Sequence, residues 1–331
     1  MDEIDMTSLD NEYFRQMTNK KIYEDGYIKY VIDDELGKGC MKTFRVMPGI
    51  ELTYIDIDVN KVMKDMMIID KECIEITYCL KGQVEIQLEN EKYTYMSDGD
   101  ITMFGYQIKA LYCDFTSKHF IGIRILITLN QFIPALNKML DTDEFKMETF
   151  FKEVFNADRC IISHGNASIN HILKELYVLP NEYNAYLMKI KVVELILYLI
   201  SGSDYKENET VYFSRESVEK IKYARNIILD NLDKFITIKR LSQMVLMNTT
   251  DLEKGFKSIY GTTIFAYSRM NKMKKAKELL EDNKLSILEI SLAVGYSNGG
   301  KFSKAFKETF GMLPTEYRRE VKVKRSCRTK N

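Results

Sequence analysis

The sequence has few of the residues that build metal centres and disulfide frameworks. Among its 331 residues are three histidines and six cysteines, and no two cysteines have the C-x-x-C spacing of a zinc or redox motif. We therefore predict no metal cluster and interpret the thiols as reduced, several of them being small hydrophobic residues of strands. The cysteines are Cys40, Cys73, Cys79, Cys113, Cys160 and Cys327.

The sequence also lacks an apolar run that could cross a membrane. Residues 1–30 are acidic and polar, without the apolar core of a secretory leader. The longest apolar runs, such as residues 192–200, fall far short of the roughly 20 residues that a membrane helix needs. We therefore expect a cytoplasmic protein that is neither secreted nor membrane-spanning.

The net charge is zero only because two unlike parts of the chain cancel. The whole chain has 48 basic and 48 acidic residues. Residues 214–331 contain 25 Lys and Arg against 13 Asp and Glu, an excess of 12, which leaves 23 against 35 in the preceding part. A basic carboxyl-terminal part is typical of a protein that binds a polyanion, although solvated helix faces would give the same excess.

Residues 43–127 form a series of short segments rich in β-branched and aromatic side chains, which predict strands. Apolar and polar residues alternate from Val84 to Leu88, as in a half-buried strand, and a turn at Glu89 and Asn90 predicts a hairpin. Many short strands separated by turns predict a β-sandwich or a small barrel, which we assign to residues 1–128.

The apolar periodicity becomes helical in residues 129–203, most clearly in residues 182–200. One stripe of this helix predicts a seam that pairs two copies of the chain, but a core helix of the same domain fits the pattern equally well. A polar segment at 201–209 predicts a linker, so we define residues 129–210 as a helical linker and dimerisation region. The stripe comprises Tyr186, Ile190, Val193, Leu197 and Ile200.

The most informative feature is an internal repeat with an offset of fifty residues. The segment NTTDLEKGFKSIYG from Asn248 aligns with NGGKFSKAFKETFG from Asn298. In each copy an Asn caps a helix, apolar residues recur four apart, and a Gly follows after about three turns. A shorter helix and a tight turn precede each copy, which predicts two helix-turn-helix motifs in residues 214–321, followed by a basic tail at 322–331.

The second helix of such a motif lies in the major groove of DNA, so its side chains opposite the buried face are predicted contacts. Lys254 and Lys304 are candidates for base contact, and Lys257 and Lys307 for phosphate contact. The predicted DNA-binding residues are Thr249, Thr250, Glu253, Lys254 and Lys257 in the first motif, and Asn298, Gly300, Lys301, Ser303, Lys304 and Lys307 in the second, with Arg319 beyond it.

A helix predicted from residue 265 to about residue 280 separates the two motifs, and its face formed by Arg269, Lys272 and Lys275 is basic. At ~1.5 Å per residue this helix spans roughly 24 Å. With the flanking helices added, the two motifs can reach adjacent major grooves about 34 Å apart. One chain is therefore predicted to bind an asymmetric DNA site.

The segment SILEISLAVGYSNGGKFSKAFKETFGMLPTEYRR, residues 286–319, resembles the signature of the AraC/XylS family of bacterial transcription regulators. The resemblance extends over residues 218–319 and implies a domain of two helix-turn-helix motifs joined by a long helix. Leu246 departs from the pattern because the family usually has a turn glycine there, and Gly255 interrupts the second helix of the first motif. The implied function is sequence-specific DNA binding, as an activator in preference to a repressor.

Residues 75–104 are similar to the cupin-like barrel that many AraC-type regulators carry as a sensor. Only Glu75 matches the metal ligands of catalytic cupins, since no His-x-His precedes it and Thr102 stands at the last ligand position. We therefore expect no enzyme activity and no cofactor, and a metal-dependent cupin enzyme with a DNA-binding appendage is the alternative. A pocket for a small polar ligand is predicted from Tyr54, Glu75, Tyr78 and His119.

The sequence thus predicts an α+β multidomain protein with an amino-terminal cupin-like β-barrel, a helical linker and an all-α carboxyl-terminal domain with two helix-turn-helix motifs. Its expected partners are double-stranded promoter DNA, RNA polymerase, a second copy of the chain and a small-molecule effector. Control by a partner protein instead of a small molecule is the remaining alternative.

Overall fold

The computed structural model describes residues 18–24, 26–59, 63–64, 73–88, 91–104, 110–142, 160–179, 185–201, 211–282 and 284–328. The chain forms two compact units, Met1–Arg215 and Glu216–Asn331, which we call the amino-terminal and the carboxyl-terminal unit. The predicted turn at 89–90 and nearly all of the predicted linker at 201–209 lie outside the described residues. In the described ranges, no helix combines the length and the apolar character that a membrane crossing requires.

The amino-terminal unit contains the strands. They are β1 Thr18–Glu24, β2 Tyr27–Ile32, β3 Gly37–Met47, β4 Ile50–Val59, β5 Met63–Lys64, β6 Cys73–Lys81, β7 Gln83–Leu88, β8 Lys92–Ser97, β9 Asp100–Phe104, β10 Ala110–Asp114, β11 His119–Thr128, β12 Ile161–His164 and β13 Phe213–Ser214.

The strands form two antiparallel sheets. The larger has the order β1-β2-β3-β4-β11-β6-β9-β12, and the smaller has the order β13-β8-β7-β10-β5. Apolar residues of both sheets, among them Met41 and Ile57 of the larger and Ile86 and Met96 of the smaller, share one buried layer. In the described residues the two sheets do not close into a barrel, because β1 and β12 remain as edges of the larger sheet and no strand pairing joins the two sheets, so the cupin-like barrel is not confirmed. The sandwich alternative describes this layer better.

In the described part of the amino-terminal unit, three helices cover the opposite face of the larger sheet: α1 Leu129–Leu140, α2 Ala167–Val178 and α3 Ala185–Ser201. Their apolar sides pack against Ile74, Ile76 and Tyr78 of β6 in a second core. Side chains alternate across a strand, so the intervening residues of β6 point the other way, towards the layer between the sheets. Both faces of β6 are therefore buried.

The layer between the sheets also contains buried charged groups. Arg124 of β11 donates from Nε to Oε2 of Glu75 at 2.7 Å, and the two side chains are 5% and 4% exposed. Thr77 Oγ1 donates to the other carboxylate oxygen of Glu75 at 3.0 Å. Glu85 of β7, predicted to face solvent, is buried and accepts a 2.6 Å hydrogen bond from the Tyr95 hydroxyl. The half-buried strand prediction for β7 is therefore wrong.

The cysteines of the amino-terminal unit are free thiols, as predicted. Cys40 lies in β3, Cys73 and Cys79 lie in β6, and Cys113 lies in β10. Burial raises the pKa of the Cys113 thiol to about 12 and raises that of Cys160 as well. These two groups stay protonated at neutral pH, which makes them poor nucleophiles.

The carboxyl-terminal unit is helical in its described residues. Its helices are α4 Arg215–Asp230, α5 Ile238–Val245, α6 Thr249–Tyr260, α7 Ile264–Asp282, α8 Ile287–Ala293, α9 Gly299–Phe310 and α10 Pro314–Arg328. The 19-residue α7 is the predicted long helix between the motifs. Its residues Met273, Ala276 and Leu280 pack against Ile290 of α8 and Phe306 of α9 in a compact apolar cluster.

We predict that Glu75→Gln lowers the free energy of unfolding of the amino-terminal unit. The substitution removes the negative charge that pairs with the buried Arg124 guanidinium at 2.7 Å, and breaking such a buried pair is expected to cost about 3–5 kcal/mol. The control is Asp56→Asn, which breaks the exposed pair of Asp56 with His119 and is expected to cost about 0–1 kcal/mol. Denaturant titration of the full chain measures both. Equal effects of the two substitutions would contradict the assignment of a buried ion pair.

Candidate nucleic-acid interface

The first helix-turn-helix motif consists of α5 and α6. The Thr237 hydroxyl accepts from the Arg240 N–H at 3.1 Å at the start of α5, and Asn248 Oδ1 accepts from the Asp251 N–H at 2.8 Å at the start of α6. Gly261 ends α6 in the left-handed conformation, with φ of 68°. Leu252, Phe256 and Ile259 hold one face of α6 in the core, which leaves the other face to solvent.

The second motif consists of α8 and α9. A reciprocal capping box starts α8, in which the Glu289 N–H donates to Ser286 Oγ and the Ser286 N–H donates to Glu289 Oε2. Asn298 Oδ1 caps α9 by accepting from the Lys301 N–H at 3.0 Å, and Gly311 ends it with φ of 80°. The predicted Asn and Gly boundaries of both repeated helices are confirmed.

The structure places the predicted DNA-binding residues on the surface. In α6 all five of them are exposed, and in and around α9 all are exposed except Ser303, which is half-buried. They lie opposite the buried faces that Phe256 and Phe306 mark. The side chain of Lys304 is 80% exposed. The predicted DNA-binding residues of α6 and of α9 are therefore accessible to a partner.

The turns of the two motifs differ in length, and the alignment of the helices at an offset of fifty residues does not show this difference. Leu246 adopts the left-handed conformation, with φ of 53°, two residues before the Asn248 cap. The corresponding left-handed residue of the second motif is Gly295, with φ of 75°, three residues before the Asn298 cap. The second turn is therefore one residue longer.

Gly295 is required for space as well as for conformation. A β-carbon there would lie 2.6 Å from the backbone oxygen of Asp233 and 2.6 Å from the Nζ atom of Lys272. The Leu246 side chain, in contrast, is 80% exposed. Only its backbone conformation is unfavourable.

The predicted basic face of α7 does not form one exposed surface. Lys272 is buried and donates from Nζ to the carbonyl oxygens of Lys234 at 3.1 Å and Val294 at 3.2 Å. Arg269 pairs with Glu308 of α9, and Lys275 pairs with Glu278 at 3.3 Å. The prediction of a basic face is wrong because two of these cations have intramolecular carboxylate partners and the third is inside the fold.

The predicted ligand pocket of the amino-terminal unit is not assembled in the structure. The Tyr54 hydroxyl donates to the Leu176 carbonyl at 2.7 Å, and Tyr78 lies in the same helix-facing core. Glu75 faces the other side of the sheet, where it pairs with Arg124. His119 is near the surface and pairs with Asp56 at 2.9 Å. Strand alternation separates Glu75 from Tyr78, so this prediction is wrong.

Glu75, the one residue that matched the metal ligands of catalytic cupins, does not support the alternative of a metal-dependent enzyme. Both of its carboxylate oxygens already have hydrogen-bond partners. Within the described residues, no cluster of three or more His, Cys, Asp or Glu side chains could hold a metal ion. The buried Arg124 was missed in the sequence. The signal available was a lone arginine within the apolar strand HFIGIRILIT.

The predicted seam on α3 divides into an exposed and a buried part. Tyr186 is 82% exposed and Ile190 is 52% exposed, whereas Val193 is only 4% exposed. Leu197 and Ile200 are half-buried and, with Met139 of α1, line a groove beside Ile190. The stripe therefore contributes both to the core of its own unit and to an exposed apolar surface.

Comparison with known proteins points to the carboxyl-terminal unit. The model of a family described as a helix-turn-helix domain matches residues 241–320. The Msm operon regulatory protein of Streptococcus mutans is 33% identical over 101 residues, which are 30% of this chain and 36% of that protein. The XylDLEGF operon transcriptional activator 3 of Pseudomonas putida is 29% identical over 146 residues, 43% of this chain and 41% of that protein.

A third relative, the Xylose operon regulatory protein of Escherichia coli, is 35% identical over 101 residues, 30% of this chain and 25% of that protein. The chain thus spans between 25% and 41% of the length of these curated relatives. Among solved structures, the C-terminal domain of the response regulator AraT from Geobacillus stearothermophilus has 29% identity and a TM-score of 0.30, covering 30% of this chain and 84% of that one. The structure of ToxT from Vibrio cholerae has 13% identity and a TM-score of 0.32, and the match covers 82% of this chain and 98% of that one.

We predict that Leu246→Gly stabilises the carboxyl-terminal unit. A left-handed residue with a β-carbon costs about 1–2 kcal/mol, and the greater freedom of Gly in the unfolded chain offsets part of this gain. The net increase expected in the free energy of unfolding is about 0.5–1 kcal/mol, measured by denaturant titration.

The matched control is Met244→Gly in α5, at a side chain that is 40% exposed. It should lower the free energy of unfolding by about 1 kcal/mol, because Gly is unfavourable inside a helix. A loss of stability on Leu246→Gly would show that the turn does not have the left-handed residue assigned to it.

Proposed function

We propose that the chain is a transcription regulator of the AraC/XylS family and that it binds promoter DNA through α6 and α9. The observation that carries the proposal is the repeated exposed lysine face opposite a buried phenylalanine face. A helix that buries one side in a small core and presents Lys and Asn on the other has the form of a recognition helix in the major groove. Cytoplasmic location follows from action on DNA.

The second motif is proposed to anchor binding. Its helix α9 presents Lys301, Lys304 and Lys307, and its Glu308 is engaged by Arg269 of α7. The first motif presents two lysines together with Asp251 and Glu253, whose negative charges oppose the approach of phosphate. Lys304 is the proposed base contact because it lies about one turn before Lys307 in α9, and Lys307 is placed towards the phosphates.

We further propose that the protein is an activator that contacts RNA polymerase. The support comes from the Pseudomonas putida relatives, whose names describe transcriptional activators of an operon. In this arrangement the amino-terminal unit receives a signal, either a small-molecule effector or a partner protein.

We also propose that two copies of the chain pair through α3. Tyr186, Leu187 and Ile190 are exposed apolar residues on one helix, and they continue into the groove that Met139 lines. A contiguous apolar surface rimmed by polar residues is typical of a protein interface. A second copy can cover it because the same surface is present on both partners.

Lys304→Ala tests the DNA contact. The substitution should weaken binding to a duplex obtained by selection with the purified chain by about 1–3 kcal/mol and relax the base preference at one position. Titration with a labelled duplex measures the affinity. The control is Lys274→Ala, which removes another exposed lysine, in α7, and is expected to leave the affinity close to that of the parent.

Parent-like affinity and base preference in Lys304→Ala would refute the assigned contact face. A uniform loss over all duplexes, with a salt dependence reduced by about one phosphate contact, would instead move Lys304 to a backbone role.

Ile190→Glu tests the pairing surface. A carboxylate in the apolar groove must be desolvated on association, so the variant is expected to sediment as a monomer where the parent sediments as a dimer. The control is Lys174→Gln, an exposed change on the neighbouring α2 outside the groove. A dimeric Ile190→Glu variant would exclude α3 as the interface.

A further inference from the structure

A cavity of about 360 Å³ lies inside the carboxyl-terminal unit. It is bounded by the segment before α5, the first turns of α7 and the turn of the second motif. Aromatic and aliphatic side chains form most of its wall, among them Ile236, Leu241, Ile264 and three aromatic residues, Phe235, Phe265 and Tyr296. Phe235 is 77% exposed and Phe265 is 64% exposed, so the side chains of these two lining residues are open to solvent.

The charged residues that line this cavity all have the same sign. They are Lys234, Arg269 and Lys272, and neither Asp nor Glu is among the lining residues. Arg269 already has Glu308 as its partner. Lys234 Nζ makes a long 3.4 Å hydrogen bond to the neutral side chain of Asn231. The cavity therefore combines a mostly apolar wall with a positive charge.

Lys272 is the buried cation of the cavity wall, with 9% of its surface exposed. Two backbone carbonyls accept hydrogen bonds from its Nζ atom, and the Tyr296 ring lies 6.0 Å away. In the described structure no carboxylate lies within ion-pair distance of this atom. Asp233 acts on it only through space, and burial lowers the pKa of Lys272 despite that charge. A buried ammonium group with carbonyl partners alone is stabilised by a further, negatively charged ligand.

We propose that this cavity binds a flat apolar monocarboxylate, with its ring between Phe235, Phe265 and Tyr296 and its carboxylate at Nζ of Lys272. Ligand pockets of ≈ 300–1,000 Å³ with apolar walls and a few convergent polar groups are of this kind. Aromatic walls favour a ring over a flexible chain, because ring pairs add to the free energy of area burial. The site lies where α7 meets the segment before α5 and the turn of the second motif, since Lys234 and Val294, whose carbonyls accept from Lys272, belong to these two segments.

The probe for the test is 1-naphthoate, titrated into the purified full chain with saturation-transfer NMR as the readout. A ligand of this size is expected to bind with a Kd of about 1 mM or tighter. Two matched compounds carry the same ring, namely 1-naphthalenemethanol, which is neutral, and 1-naphthylmethylammonium, which is cationic. The carboxylate is expected to bind at least tenfold more tightly than either.

Two variants locate the binding at this cavity. Lys272→Met removes the charge and keeps the length of the side chain, and Ser268→Phe fills the cavity while leaving Lys272 in place. Each is expected to weaken naphthoate binding at least tenfold, whereas Lys274→Met on the exposed side of α7 leaves it unchanged. Circular dichroism checks that both variants are folded, and Ser268→Phe carries the test if Lys272→Met does not fold.

Several outcomes would overturn the proposal. These are no binding of naphthoate by the parent, equal binding of the three naphthalene compounds, or unchanged binding in Ser268→Phe. Displacement of naphthoate by millimolar inorganic phosphate would instead identify the cations as a phosphate site and would equally refute an apolar carboxylate ligand. None of these measurements involves DNA, so their failure is distinct from a failure of the proposed DNA binding.

Discussion

The burial of one face of each short capped helix is the constraint on which the candidate interface depends. Phe256 in α6 and Phe302 and Phe306 in α9 are fully enclosed. With these rings fixed, the helical period leaves the lysines of each helix on the solvent side. The caps at Asn248 and Asn298 set where each helix begins, and therefore which side chains form its exposed first turn. Packing and capping thus determine the charge pattern that is offered to DNA.

The same constraint explains the place of the long helix α7. It must bury Met273, Ala276 and Leu280 against the second motif, so Lys272 next to them enters the fold as well. Its ammonium group is accommodated by two backbone carbonyls, and Gly295 has no side chain to displace it. The cost of burying this charge is the physical reason for the proposed anion site, and the same lysine joins the segments before α5 and after α8.

Much of the carboxyl-terminal unit could be predicted from the sequence, because local signals decide it. The Asn caps, the terminal glycines and the four-residue spacing of aromatic residues are all short-range features, and they located both motifs. The burial of Lys272 is not decided by such local signals. On a helical projection it shares a face with Arg269, but long-range packing against Gly295 and Tyr296 decides its burial. The extra residue in the second turn could not be predicted either, because the sequence repeat aligns α6 with α9 and does not align the turns that precede them.

The amino-terminal unit was less predictable because both faces of its central strands are buried. The alternation of side chains along a strand normally separates a core face from a solvent-exposed face. Here it separates a helix-facing core from a buried layer that contains Arg124, Glu75 and Glu85. The alternation in β7 therefore predicts an exposed Glu85, although this side chain is buried, and Tyr54 and Tyr78 face the helices whereas Glu75 lies on the opposite face. Closure into a barrel depends on the pairing of strands far apart in sequence, which periodicity does not encode.

Selection of bound duplexes from a random library by the purified full chain shows whether two unequal recognition helices of one chain read one DNA site. If they do, the selected duplexes share an asymmetric motif of two blocks about 10–10.5 base pairs apart, one strongly and one weakly specified. Enrichment of a single block, of two equally specified blocks, or of no sequence at all would contradict it.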